Sequence, residues 1–129
     1  VTNVIDKFSF AADANATDVG DLTVARYSPA GQSSSESGYA SGGGVPGATS
    51  NVIDKFPFAS DANATDVGDL IITLRGAAGQ SSNVSGYNSG GGGAALQNII
   101  QKFPFASDSN ATDVGDLVSS NYYVTGQQV

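Results

Sequence analysis

The chain of 129 residues contains no cysteine, histidine, tryptophan or methionine. Without cysteine it forms no disulfide and offers neither a thiol nucleophile nor a cysteine-based zinc site. Without histidine it lacks the side chain that most often serves as a general base or a metal ligand. Five basic residues stand against twelve acidic ones, for a net charge of −7. Five basic residues are too few to build a basic patch. No apolar run reaches the roughly 18 residues of a membrane span. We therefore expect binding to neither nucleic acid nor membrane.

One sequence frame occurs three times along the chain. It opens with Asn-Val-Ile-Asp-Lys-Phe at residues 3–8 and 51–56, and with Asn-Ile-Ile-Gln-Lys-Phe at 98–103. Each opening is followed by Ala-Thr-Asp-Val-Gly-Asp-Leu and then by a Gly-Gln pair, with periods of 48 and 47 residues. Periods of about 20–50 residues are typical of solenoids, propellers and arrays, in which no single unit buries its own apolar face. We therefore treat residues 1–129 as one repeat domain with copies at 3–50, 51–97 and 98–129.

The second copy is complete and predicts four short strands. Residues 51–58 are rich in β-branched and aromatic side chains, which favours a strand whose end Pro57 makes an edge or a bulge. Residues 59–68 are dense in Asp, Asn and Gly, which indicates a loop. Three further strands are predicted at 69–74, 76–82 and 85–91. Four short strands in a period of 47 or 48 residues is the pattern of one propeller blade.

We therefore predict an all-β fold, a β-propeller-like repeat of four-stranded blades. A β-solenoid or a trimeric β-fibre is the alternative, because alternation and glycine turns serve those folds too. If the strands of a blade are labelled a to d from the inner edge outwards, the chain reads c-d, a-b-c-d, a-b-c-d, a. Propellers close with about four to eight blades, so about three repeats do not close alone. Exposed sheet edges favour association by strand addition, which makes a second copy of the chain the expected partner.

The glycine runs resemble those of a known propeller repeat. The pattern Gly-Tyr-x-Ser-Gly-Gly at 38–43 and 86–91 resembles the kelch repeat, in which a glycine pair ends the second strand of each blade. The segment Asp-Leu-Thr-Val-Ala-Arg at 21–26 also resembles the kelch outer strand that leads into an arginine. The kelch tryptophan is missing, and Arg75 lies one position later in the frame than Arg26. The resemblance implies a propeller.

The acidic loop resembles the calcium loop of FG-GAP propeller repeats, which follows Asp-x-Asn-x-Asp-Gly-x-x-Asp-Leu. Residues 13–22 read Asp-Ala-Asn-Ala-Thr-Asp-Val-Gly-Asp-Leu, with Thr at the fifth position and Asp in place of the family's glycine. Calcium takes about six to eight oxygen ligands, and alternate residues of a tight loop can point their oxygens inward. The resemblance implies one calcium site per copy, with side-chain ligands from Asp13, Asn15, Thr17 and Asp21, from Asp61, Asn63, Thr65 and Asp69, and from Asp108, Asn110, Thr112 and Asp116.

Each of these features also has a structural explanation. Asp and Asn in the acidic loops can fold back on their own backbone as Asx turns, which duplication copies as faithfully as a metal site. Tyr39 and Tyr87 precede glycine runs and either stack on sugars at a blade surface or lie in the core, and the core is favoured. The recurring Lys7, Lys55 and Lys102 can pair with the repeated Asp residues of a neighbouring copy, with little gain in stability.

A third resemblance concerns function. The run from Asn51 to Leu70 is very similar to tandem repeats in uncharacterised proteins of marine bacteriophages and bacteria, which implies a virion or extracellular location. An enzyme without His or Cys needs a distinctive carboxylate pair, and every copy carries the same ones, so we expect no catalysis. We predict a non-enzymatic structural or adhesive protein of a phage tail, fibre or decoration, or of an extracellular fibre, which binds itself or other virion or fibre proteins. The alternative is a secreted, calcium-dependent propeller that binds protein or carbohydrate, including surface glycans.

Overall fold

The computed structural model describes residues 1–127, which form strands and no helix. Twelve strands make four antiparallel sheets, so the all-β prediction is confirmed. This part of the chain accordingly contains no helix long and apolar enough to cross a membrane. The strands are β1 (Thr2–Lys7), β2 (Thr17–Arg26), β3 (Ala30–Ser33), β4 (Ser37–Ser41), β5 (Gly44–Val45), β6 (Ala48–Thr49), β7 (Val52–Pro57), β8 (Thr65–Asp69), β9 (Ala78–Ser81), β10 (Ser85–Ser89), β11 (Ile99–Pro104) and β12 (Thr112–Asp116).

Two sheets contain four strands each, in the orders β3-β4-β7-β8 and β9-β10-β11-β12. Each of them combines a hairpin from the end of one sequence copy with a hairpin from the start of the next copy. β1 and β2 form a two-stranded sheet that corresponds to β7 and β8, and β5 and β6 form a small hairpin in a connector. Within the sheets the order agrees with the predicted succession of strands a to d, but the last predicted strand a, near Gly126, does not form among residues 1–127. No closed sheet occurs among these residues.

The strand predicted at residues 69–74 lies earlier in the chain than expected. β8 covers Thr65–Asp69, and the residues after it take a largely irregular path. Pairing with β7 overrides the turn propensity of this Asp- and Gly-containing segment, and the register leaves Val67 as the extra residue of a β-bulge. Leu70 and Leu74 are buried from the irregular segment instead. The prediction of a strand at residues 69–74 is therefore wrong, although two leucines of this run lie in the core.

The main core lies between the two four-stranded sheets and uses residues of all three copies. Tyr39 in β4 packs its ring on that of Phe103 in β11, with the ring centroids 5.6 Å apart. The buried cluster consists of Tyr39, Ile53, Leu70, Leu74, Phe103 and Ala111. A core shared in this way fits the expectation that no single copy buries its apolar face alone.

The two four-stranded sheets come closest at their small-residue strands, β3 and β9. A Cβ atom on Gly79 would lie 2.1 Å from the carbonyl oxygen of Gly31, so only glycine allows the two backbones to touch here. Around the equivalent Cβ position of Gly31 there is no atom within 4 Å. Each copy therefore presents one side to the copy before it and the opposite side to the copy after it.

Candidate functional site

The predicted calcium loops lie where successive copies meet. In the loop before β8, Oδ1 of Asn63 accepts a hydrogen bond of 3.0 Å from the backbone N–H of Asp21, in the preceding copy. The backbone N–H of Ala64 donates to the carbonyl oxygen of the same Asp21 at 2.8 Å. We call these two bonds the asparagine clip. The next junction repeats the clip with the same lengths, 3.0 Å from Asp69 N–H to Asn110 Oδ1 and 2.8 Å from Ala111 N–H to the Asp69 carbonyl oxygen.

A glycine beside each clip allows the loop of the next copy to approach. Gly20 and Gly68 have φ angles of +153° and +150°, which side-chain-bearing residues rarely adopt. A Cβ atom would lie 2.4 Å from the carbonyl oxygen of Ala62 at Gly20, and 2.6 Å from that of Ser109 at Gly68. Gly115 has the same φ of +150° but no atom within 4 Å of its Cβ position. The glycine of the Val-Gly-Asp run thus serves the contact between copies.

Exposed ion pairs accompany both clips. Lys7 Nζ lies 2.7 Å from Asp61 Oδ1, and Lys55 Nζ lies 3.5 Å from Asp108 Oδ1. Each pair joins a lysine of one copy to the acidic loop of the next, which confirms the predicted pairing between copies for two of the three recurring lysines. Because the carboxylates are largely exposed to water, each pair contributes only about 0–1 kcal/mol. They help to align the copies more than they stabilise them.

These contacts engage the first and third positions of two of the three predicted calcium loops. The aspartates at the first position pair with lysine, and the asparagine oxygens at the third position accept backbone hydrogen bonds. The threonines at the fifth position, Thr17, Thr65 and Thr112, open strands β2, β8 and β12. Asp69 and Asp116 end strands, and Asp21 lies within β2. Residues 1–127 hold no group of three or more Asp, Glu, His or Cys placed for a metal ion. Calcium binding therefore stays a prediction.

The two candidate sugar-binding tyrosines lie in different environments. Tyr39 is only 4% exposed and stacks on Phe105, with the ring centroids 4.7 Å apart, so it belongs to the core. Tyr87, its equivalent in β10, is half-buried and lines a surface pocket of about 270 Å³ beside Ile100 and Leu117. The two tyrosines differ because a further copy packs over Tyr39, while none among the described residues packs over Tyr87.

A buried ion pair that sequence reasoning missed joins the first copy to the second. Arg26 Nη2 donates to Asp54 Oδ2, and both side chains are fully buried. The carboxylate accepts two more hydrogen bonds from Thr23, from its backbone N–H at 3.0 Å and from Oγ1 at 2.7 Å. Burial lowers the pKa of Arg26, and the charge of Asp54 opposes that shift. The guanidinium also donates to the carbonyl oxygens of Gly42, Val52 and Ala40, at 3.0, 3.0 and 3.2 Å.

The equivalent positions of the next junction carry neutral residues. Leu74 takes the place of Arg26, and Gln101 takes the place of Asp54. Gln101 Oε1 accepts a hydrogen bond of 2.6 Å from the backbone N–H of Ile71. Its Nε2 is buried without a hydrogen-bond partner in the described part of the chain, since leucine offers none. The joint change of both residues from one copy to the next is the signal that would have revealed this contact in the sequence.

The polar contacts at both junctions hold one copy of the repeat to the next. Polar groups of one copy bind polar groups or backbone of the next copy, and the buried charges of the first junction neutralise each other. Comparison with protein-family models finds no match to the chain, and comparison with curated proteins finds none either. Any functional conclusion therefore depends on the geometry of the repeats.

Proposed function

We propose that the chain is a non-enzymatic structural or adhesive module of a virion tail, fibre or decoration, or of an extracellular fibre. One observation carries the proposal. Two successive junctions are built from the same asparagine clip, the same Lys–Asp pair and the same glycine contact. A junction that recurs in this way allows copies to be added without a new interface, which suits an extended assembly.

The periodicity of the polar residues supports a role without catalysis. The acidic loops recur in every copy, and in two of them the Asp and Asn side chains bind the preceding copy. The buried charges, Arg26 and Asp54, are engaged with each other and with backbone groups. An active site instead requires a nucleophile, acid or base that is accessible to a substrate.

We propose further that the four-stranded sheets are blades of a propeller-like arc. Each sheet is antiparallel and has its small-residue strand at one edge, and these strands, β3 and β9, touch at Gly31 and Gly79. Propeller blades crowd together in the same way at their inner strands. A β-solenoid or a trimeric β-fibre is the alternative, and a linear solenoid differs in the rotation between successive sheets.

Immunogold electron microscopy tests the structural role. Antibodies raised against the folded chain are applied to virus particles and extracellular fibres purified from the cells that produce it. We expect gold label at repeated positions on one of these structures. Absorption of the antibodies with pure chain is the control and should remove the label. Label confined to the soluble fraction of the cells would contradict the proposal.

A further inference from the structure

The geometry points to an end-to-end interface between two copies of this chain. The inference rests on the proposed structural role and names the surfaces that would join one module to the next. Inside the chain, one side of each sheet meets the opposite side of the next sheet, and within residues 1–127 both sides recur uncovered at the two ends of the stack. The leading face consists of Phe8, Phe10, Asp13, Asn15 and Ala16, and the trailing face consists of Tyr87, Lys102, Val114, Gly115 and Asp116.

Each face carries one unused half of an asparagine clip. Asn15 and Ala16 occupy the frame positions of the residues that form the internal clips. On the trailing face, Asp116 pairs with β11 in the same register in which Asp69 pairs with β7, so its outer N–H and carbonyl point the same way. Gly115 keeps the φ of +150° that admits a neighbouring loop at Gly68, and the space beside it is open. A second copy would therefore complete the clip without rearrangement.

The charges of the two faces are complementary as well. The internal lysines pair with the first aspartate of the next acidic loop, at 2.7 and 3.5 Å. Lys102 and Asp13 are the remaining members of this series, and neither forms an ion pair within residues 1–127. A second copy of the chain would place Asp13 beside Lys102. The same register that completes the clip thus also completes the ion pair.

The apolar residues of the faces fit in the same register. Inside the chain, Phe105, which follows β11, stacks on Tyr39 of the preceding four-stranded sheet. The equivalent of Phe105 on the leading face is Phe10, whose side chain is 95% exposed. The equivalent of Tyr39 on the trailing face is Tyr87, which lines the open pocket of about 270 Å³. Val114 on this face is 50% exposed, whereas its internal equivalent packs against the core. Aromatic ring and pocket are both available for a partner chain.

The end-to-end junction differs from the internal ones in two ways. Among residues 1–127, β1 pairs only with β2, so the position that β4 takes beside β7 is not filled there. The frame positions of the buried pair are occupied by Asn121 and Asp6, and an amide can donate to a carboxylate. Association should therefore be weaker than internal stacking and should depend on concentration. A head-to-tail contact yields a ring if the rotation per chain closes and a filament if it does not.

Two face-specific variants test the interface in the intact chain. Phe10→Asp alters only the leading face, and Val114→Asp alters only the trailing face. Sedimentation velocity at about 0.15 M salt, which screens the repulsion between acidic chains, follows association over a concentration series. Wild-type chain is expected to associate, and each variant alone should associate about tenfold more weakly or worse. An equimolar mixture of the variants should form a 1:1 dimer, because one intact face of each kind remains.

Ala48→Asp is the matched control, since Ala48 is an exposed apolar residue of the β5–β6 hairpin, inside the stack and away from both end faces. It should associate like the wild type, and circular dichroism should show that all three variants keep their strands. A wild type that stays monomeric, a Phe10→Asp variant that associates normally, or a mixture without dimer would overturn the interface. A monomeric chain that is nevertheless found on fibres or virions would overturn the interface alone, whereas an associating chain without such label would overturn only the structural role.

Discussion

The buried pair of Arg26 and Asp54 can be exchanged for the residues that the next junction uses. Three variants are compared with the wild type: Arg26→Leu, Asp54→Gln and the double variant. The double variant gives the first junction the leucine and glutamine found at positions 74 and 101. We expect each single variant to be strongly destabilised and the double variant to recover most of the lost stability.

The magnitudes follow from what each change leaves behind. In Arg26→Leu, the carboxylate of Asp54 keeps its two hydrogen bonds from Thr23 but is buried without the guanidinium. In Asp54→Gln, the guanidinium keeps its three carbonyl partners but loses its counter-ion. Loss of one member of a buried pair costs about 3–5 kcal/mol, whereas replacement of both by neutral residues is often close to neutral. A chain of this length has a total stability of about 6–19 kcal/mol, so either loss is measurable.

Urea denaturation followed by circular dichroism measures these differences, and the four proteins form a double-mutant cycle. We expect the double variant to lie within about 1 kcal/mol of the wild type, so that the coupling energy amounts to several kcal/mol. An unchanged m-value would show that all four proteins unfold from the same compact state. If the double variant instead loses the sum of the two single losses, the two junctions are not equivalent and our comparison between them is wrong.

Two further predictions concern the glycine contact and the acidic loops. Gly79→Ala forces a Cβ against the carbonyl of Gly31 and should destabilise the chain by about 1–3 kcal/mol in urea denaturation. The matched Gly31→Ala has open space and should stay within about 0.5 kcal/mol of the wild type, and equal losses would contradict this stacking. Millimolar calcium should leave the Tm unchanged, because the junctions engage Asp and Asn oxygens of the second and third acidic loops and the first loop gathers no group of three acidic ligands. A higher Tm that a chelator reverses would instead establish calcium binding. Calcium at 100 times its Kd would add about 2.7 kcal/mol to the free energy of unfolding.

Local sequence signals predict most of the strands but not all of them. Strands β7, β9 and β10 lie within the predicted ranges 51–58, 76–82 and 85–91, because β-branched, aromatic and turn residues act over a few positions. Strand β8 escapes prediction because its residues favour a turn and become a strand only by pairing with β7.

The sequence located the candidate site but did not reveal its chemistry. The acidic loops stand out by composition and recurrence, yet the partner of Asn63 is Asp21, which lies 42 residues earlier in another copy. The lysine pairs could be anticipated because their charges recur with the frame. The buried pair of Arg26 and Asp54 was missed, because its two members belong to different copies and only their joint replacement by Leu74 and Gln101 at the next junction signals the contact.

Copies of nearly identical sequence can stack in the wrong order, and the two junctions differ in a way that opposes this. The openings at 3–8 and 51–56 are identical, so strand formation alone does not distinguish these copies. If the third copy docked on the first, Gln101 would face Arg26 and leave a guanidinium buried without a carboxylate. If the first copy docked on the second, Asp6 would face Leu74 and leave a carboxylate buried without a cation. Each mismatch costs about 3–5 kcal/mol, a large share of the total stability. A charged residue of the first junction therefore cannot pair with a neutral residue of the second. The buried pair contributes more to the order of the copies than to their stability.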